Sequence, residues 1–212
     1  VRGNRVHDSV LGMWLDWQAQ GTVVDSNVFY RNTRDVMTEV THGPITFMNN
    51  VFASEFSFDD YAQGAAFVNN LFAGRIRHTA VLDRSTPYHF PHATDVAGEA
   101  FVYGGDDRYI NNLFLAVGDS AKPLRTAAGA AGMAEAGTAF FDGYPRSLEE
   151  YEQLIEEAGL GDEELYRSVK QPVLLASNAY VSGAKAASGE AEAVVSGDGS
   201  SLALRETDDE LW

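Results

Sequence analysis

The 212-residue sequence contains no cysteine. That excludes disulfides and thiolate metal sites, and it points to a reducing compartment, the cytoplasm. Basic residues are scarce: 15 Lys and Arg stand against 31 Asp and Glu, for a formal net charge of −16. Binding a nucleic-acid backbone needs clustered Lys and Arg, so nucleic acid is excluded as a partner. Anionic membrane surfaces and polyanionic substrates such as pectate are disfavoured on the same ground, while neutral sugars remain compatible. No apolar run approaches the ~20 residues of a membrane span. The first residues lack the pattern of a secretory signal. Val1-Arg2-Gly3-Asn4 reads instead like the interior of a strand pattern, which leads us to expect further residues upstream.

What is present is a repeat. Asn27-Val28-Phe29, Asn50-Val51-Phe52, Asn70-Leu71-Phe72 and Asn112-Leu113-Phe114 recur, followed by a weaker Asn178-Ala179-Tyr180, and Asn4-Arg5-Val6 begins the series. The Asn-to-Asn steps are 23, 23, 20, 42 and 66, the last two being close to multiples of a single period. The match extends upstream: Asp16-Trp17-Gln18-Ala19-Gln20-Gly21 precedes Asn27 at the offset at which Asp59-Asp60-Tyr61-Ala62-Gln63-Gly64 precedes Asn70. A short β-branched and aromatic run in each repeat of about 22 residues indicates a solenoid. Leucine-rich repeats have a similar period but need a leucine ladder, which is missing. The sequence therefore predicts an all-β chain, a right-handed parallel β-helix, with Val, Leu and Phe turned inward. Asn at each bend should stack on the Asn of the next coil and accommodate the left-handed backbone of the bend.

Two stretches break the period. Arg75 to Gly105, with Pro87 and Pro91, is expected to form a long loop, or a loop with one degenerate coil. Residues 116–170 read as an insertion, opening on an Ala/Gly-rich stretch from Ala127 to Gly137. A helix is expected from Ser147, where Ser147 and Glu150 form a capping box, Leu148, Tyr151, Leu154 and Ile155 make an apolar stripe, and Gly159 ends the helix. A second short helix should follow Asp162. The organisation is then coils over 1–115 carrying the functional face, an insertion over 116–170, and a final coil with a strand-like tail over 171–212.

Asp16, Glu39 and Asp59 each lie 11 residues before a ladder Asn. Equal offsets stack in a parallel coil, with neighbouring strands ~4.8 Å apart. The offsets therefore predict a column of three carboxylates. Like charges on adjacent strands repel, so such a column suits a catalytic pair better than a scaffold. Carboxyls ~5–5.5 Å apart fit a retaining glycosidase, whereas ~6.5–9.5 Å fits an inverting one. One coil of separation selects retention, with Asp16 as nucleophile and Glu39 as acid/base. Trp14 and Gln18 alternate onto the same face to stack on a sugar ring and bond its hydroxyls, while Leu15 and Trp17 should turn into the core. His42 is a candidate donor to a substrate hydroxyl, and Asp59 completes the column. The segment Thr86-Pro87-Tyr88-His89-Phe90-Pro91-His92 should fold over this face, bringing Tyr88 and His92 to the substrate. His89 and His92 have no third convergent ligand, so no metal and no cofactor are expected.

At these residues the chain resembles the β-xylosidases of glycoside hydrolase family 120. The resemblance runs from about Gly12 to Leu115 and rests on Trp14-Leu15-Asp16-Trp17-Gln18-Ala19-Gln20-Gly21, Glu39-Val40-Thr41-His42-Gly43-Pro44, Asn49-Asn50-Val51-Phe52 and Pro87-Tyr88-His89-Phe90-Pro91-His92. It implies a right-handed β-helix, a retaining mechanism, an Asp nucleophile at Asp16, a Glu acid/base at Glu39 and a xyloside or xylo-oligosaccharide as substrate. Family members are longer, with upstream coils and an inserted β-sandwich that contribute to the sugar pocket, so the resemblance implies either the C-terminal part of such an enzyme or a truncated relative. An uncovered first coil would favour self-association into a homo-oligomer. Two other readings compete. A β-helix polysaccharide lyase could use Asp16, Glu39 and Asp59 as Ca²⁺ ligands, but Arg34 is the one nearby base. A non-catalytic carbohydrate-binding solenoid would keep sugar affinity after loss of both acids.

Overall fold

The computed structural model describes residues 1–90, 92–121, 124–125 and 133–207. The chain is mostly β, and among the described residues its two large sheets are parallel. One holds Arg5–His7, Val28–Tyr30, Val51–Phe52, Leu71–Phe72, Leu113–Leu115, Ala179–Val181 and Val194–Ser196 in that order. The other runs Leu11–Leu15, Arg34–Met48, Phe56–Val68, Arg108–Ile110, Leu174–Ala176, with Thr22–Asp25 and Arg75–His78 also paired into it. From Val28 to His78 the chain visits the two sheets in turn, so strands about 20 residues apart in sequence lie side by side.

The Asn series forms a continuous ladder. Asn27 Oδ1 accepts from both the backbone N and Nδ2 of Asn4, and the same double bond recurs from Asn27 to Asn50, Asn50 to Asn70, Asn70 to Asn112 and Asn112 to Asn178, at 2.8–3.1 Å. The second amide hydrogen of Asn50, Asn70, Asn112 and Asn178 goes to the carbonyl of Val24, Phe47, Phe67 and Tyr109 respectively. Glu190 ends the ladder, its Oε1 accepting from Asn178 Nδ2 at 2.7 Å. The left-handed residue of each bend is the one before the ladder Asn: Gly3, Ser26, Asn49, Asn69, Asn111 and Ser177 all have φ between 54° and 67°. The ladder Asn is thus kept for its hydrogen bonds, and the conformational demand expected of it falls on its neighbour. Asn50→Ala should strip the acceptor from two buried donors of Asn27 and cost about 2–4 kcal/mol, read from urea unfolding.

Inside the ladder, the rings of Phe29, Phe52, Phe72, Phe114 and Tyr180 stack with centroids 4.9–5.3 Å apart. Phe47, Phe67 and Tyr109 form a second stack, and all eight rings are fully buried. A second polar cluster surrounds Asp35. Asp35 accepts from Asn32 Nδ2, Ser54 N and Ser54 Oγ, and burial pushes its carboxyl up to about 6 despite these donors. The native chain therefore binds this proton more tightly than the unfolded one does. The stabilisation this confers is full below about pH 4 and is lost as pH rises through about 6. Replacing Asp35 with Asn should remove that dependence. The stability of the variant relative to the wild type should rise by roughly 3 kcal/mol between pH 4 and 7, measured by denaturant titration.

Several expectations are corrected. Arg75 to Gly105 is not a loop: Arg75–His78 joins the sheet, and Val81–His89 pairs antiparallel with Val96–Val102. Prolines break only strands that must donate at that position, and a two-stranded hairpin has unpaired edges to hold them. Pro91 lies outside the described residues, as does most of the Ala127–Gly137 stretch. Helix α1 spans Leu148–Ala158 and begins as expected, with Ser147 Oγ accepting from Glu150 N at 3.1 Å. Glu150 reaches back to the backbone N of Arg146 rather than that of Ser147, and Gly159 closes the helix at φ 60°. Its stripe is only partly covered, since Leu148 and Leu154 are exposed. Helix α2 spans Asp162–Ser168. In the tail, Val194–Ser196 is a strand, but Leu202–Leu204 is not. The tail instead returns along the stack until Glu206 accepts from Tyr30 Oη and Arg31 Nη1. Residues 208–212 lie outside the described residues. No helix among the described residues is long and apolar enough to cross a membrane.

Candidate active site

Strand Leu11–Leu15 pairs with Arg34–Met48 in the register Trp14 to Met37 and Leu15 to Thr38. Asp16 follows the last paired residue of its strand, as Glu39 follows Thr38. Glu39 in turn pairs with Tyr61, and Met37 with Asp59. The neighbour of Glu39 on the next strand is Tyr61, and the expected place of Asp59 beside it is corrected. The reason lies in the strand itself. Between Glu39 and Ile45 the register slips twice, taking the offset between neighbouring strands from 22 to 20 residues. Counting back from the ladder Asn crosses both slips and lands two residues short. Gly43 sits in this irregular stretch against the backbone of Gly64, with no room for a Cβ.

Asp59 is fully buried and committed to arginines. Arg34 Nη1 donates to its Oδ2 at 2.6 Å, and Arg77 donates through Nε to Oδ1 at 2.6 Å and through Nη2 to Oδ2 at 2.5 Å. Arg77 Nη2 also donates to Tyr61 Oη, so Asp59 fixes the arginine that holds the neighbour of Glu39. Burial raises the Tyr61 hydroxyl above its usual range, with the Asp59 charge adding to it. A ligand contact for Asp59 is not available in this arrangement.

Asp16 is exposed, and its Oδ1 accepts from Trp17 N at 2.7 Å, leaving Oδ2 free. Glu39 is partly exposed, and Oε1 accepts from Arg84 Nη2 at 3.1 Å. Arg84 comes from the hairpin, which thus leans over this face. Trp14 lies on the outer face with Asp16 and is 54% exposed. Trp17 was expected in the core but is 61% exposed. The strand ends at Leu15, and Gln18 takes φ 61° in the following turn, so alternation stops before it reaches Trp17 or Gln18.

His42 is buried and fully engaged. Nδ1 faces Gln63 Nε2 at 2.9 Å, while Nε2 lies near Thr86 O at 3.2 Å, Ala100 O at 3.3 Å and Thr86 Oγ1 at 3.0 Å. An Nε2–H tautomer satisfies this set, and burial lowers the basicity of the ring. His42 bolts the hairpin to strand Arg34–Met48, and no ring nitrogen is left for a sugar hydroxyl. Tyr88 meets the His42 ring edge-on at 5.9 Å and lines a cavity of about 640 Å³ with Ser85, Glu99, Phe101, Tyr151 and Tyr166. His92 is exposed at the turn of the hairpin, at φ 57°. The sequence reasoning passed over Tyr61, Arg77 and Arg84. Nothing local in the sequence marks these three.

No family model matches the chain, and no curated protein matches it. Among solved structures, the chain is similar to XylC in its complex with xylose, at a TM-score of 0.85 and 43% identity over 99% of this chain. The chain spans 31% of the length of that protein.

Proposed function

We propose that this chain carries the catalytic pair of a retaining glycoside hydrolase acting on xylosides, mounted on successive coils of a right-handed parallel β-helix of the family 120 type. The observation that carries the reading is the register that pairs Leu15 with Thr38, the residues immediately before Asp16 and Glu39. Strand spacing of ~4.8 Å falls near the separation of a retaining pair. The likeness to a protein solved with xylose supports a small neutral pentoside as ligand.

Asp16 attacks the anomeric carbon through the oxygen that Trp17 N does not hold. Glu39 protonates the glycosidic oxygen as the bond breaks, and the sugar is left esterified to Asp16. Glu39 then takes a proton from water, which displaces Asp16 with net retention. Arg84 is exposed enough to move aside when the leaving group arrives. Trp14 offers a ring face beside the nucleophile. Asp59, Arg34, Arg77 and Tyr61 hold the floor of the site, and His42 holds the hairpin that carries Arg84. Residues 1–115 are the catalytic coils, 116–170 the insertion, and 171–212 the last coil and tail.

The test is hydrolysis of an aryl β-xyloside by the product of the full reading frame, with product configuration followed by NMR. β-Xylose as first product supports the proposal. α-Xylose, or an unsaturated product from a uronate polymer, points to inversion or to a lyase. Binding of xylose without turnover leaves the carbohydrate-binding solenoid as the better reading.

A further inference from the structure

Behind Glu39 and Tyr61, the preceding residue of each strand belongs to a buried row: Thr38 pairs with Asp60, and Asp60 with His78. Thr38 Oγ1 donates to Asp60 Oδ1 at 2.5 Å, and His78 Nδ1 lies 3.2 Å from Asp60 Oδ2. Asp107 joins them from the residue before strand Arg108–Ile110. It is fully buried, with Oδ1 accepting from Ala65 N at 2.9 Å. One donor atom from each of Asp60, His78 and Asp107 lies within 4.8 Å of the others.

Three polar atoms here meet no protein partner: Asp107 Oδ2, His78 Nε2 and the hydroxyl of Tyr109, which is wholly buried. Phe140, Phe141 and Tyr144 pack around the His78 ring. Two buried carboxylates that lack an arginine or lysine partner are costly unless a cation compensates them. The nearby Asp59 shows the contrast, since two arginines neutralise it.

We propose that Asp60, His78 and Asp107 form a structural site for a borderline divalent cation of the zinc class. A mixed set of two carboxylates and one imidazole suits such an ion, whereas Ca²⁺ takes six to eight oxygens. Bonds of ~2.0–2.2 Å require each donor to move by less than about an ångström from its present place. The ion would tie three neighbouring strands together directly beneath the catalytic face. The site is distinct from the catalytic pair and does not depend on the glycosidase reading.

The experiment is metal analysis and thermal unfolding of the purified chain, before and after chelator dialysis, with Zn²⁺ added back alone. About one equivalent should bind, and free Zn²⁺ at about a hundredfold Kd should raise Tm by roughly 5–10 °C. In Asp107→Asn both effects should disappear. Should that variant fail to fold, Co²⁺ bound to the unaltered chain should give visible d–d bands and paramagnetic shifts on the His78 ring protons. No bound metal with an unmoved Tm would overturn the proposal and leave a proton as the compensating charge. Zinc binding that survives in Asp107→Asn, or Co²⁺ that leaves His78 unshifted, would overturn it by placing the metal elsewhere.

Discussion

Asp16→Ala is expected to abolish turnover, lowering kcat/KM by at least roughly 10⁴-fold, the scale seen when a covalent nucleophile is removed. The strand before Asp16 is paired up to Leu15, and the Asp16 side chain is exposed with a single protein bond from Trp17 N. Its loss therefore removes little from the fold, and the variant should unfold within about 0.5 kcal/mol of the wild type. Loss of activity with unchanged stability separates a nucleophile from a structural acid. Steady-state kinetics on an aryl xyloside, alongside urea unfolding, reads both quantities. By contrast Asp59→Ala should be strongly destabilising, at about 3–5 kcal/mol, because it leaves Arg34 and Arg77 without their buried partner.

Glu39→Ala has the second largest effect, and its signature is selective. Poor leaving groups need a proton as the bond breaks, so alkyl xylosides should slow by roughly 10²–10⁴-fold. Activated aryl xylosides should still form the glycosyl-enzyme, which then waits for a base that is missing. Azide needs no deprotonation, so it should restore turnover and yield a xylosyl azide of retained configuration. Loss of activity without azide rescue would assign Glu39 a positioning role. Arg84 gives an internal control: it touches Glu39 from the hairpin but takes no part in proton transfer, so Arg84→Ala should not show the leaving-group split.

The ladder and the ring stack were legible because they use one residue type at nearly fixed spacing, and buried amides and rings tolerate little else. Register was not legible across the whole face. From Leu15 to Thr38 the offset is the same 23 residues as between Asn27 and Asn50, so counting holds up to the residue before each acid. From Glu39 onward two slips intervene before Ile45, and counting misplaces Asp59 by two residues. A bulge leaves no mark in composition, only in pairing. Trp17 was misplaced for a related reason: strand alternation cannot be carried past a strand end that the sequence does not announce. The partners of His42 come from Thr86 and Ala100 on the hairpin. Asp107 reaches Asp60 and His78 from a coil whose predecessor is interrupted by that same hairpin. Such encounters depend on which insertion folds onto which coil, and no local pattern encodes them.

The central claim is tested most directly by trapping the intermediate with a 2-fluoro-xyloside carrying an activated leaving group, followed by tryptic mass mapping. Cleavage at arginine separates the candidates, since Asp16 falls in peptide 6–31 and both Glu39 and Asp59 fall in peptide 35–75. The account predicts one fluoroxylosyl group on peptide 6–31, at Asp16. A label on peptide 35–75 would contradict it.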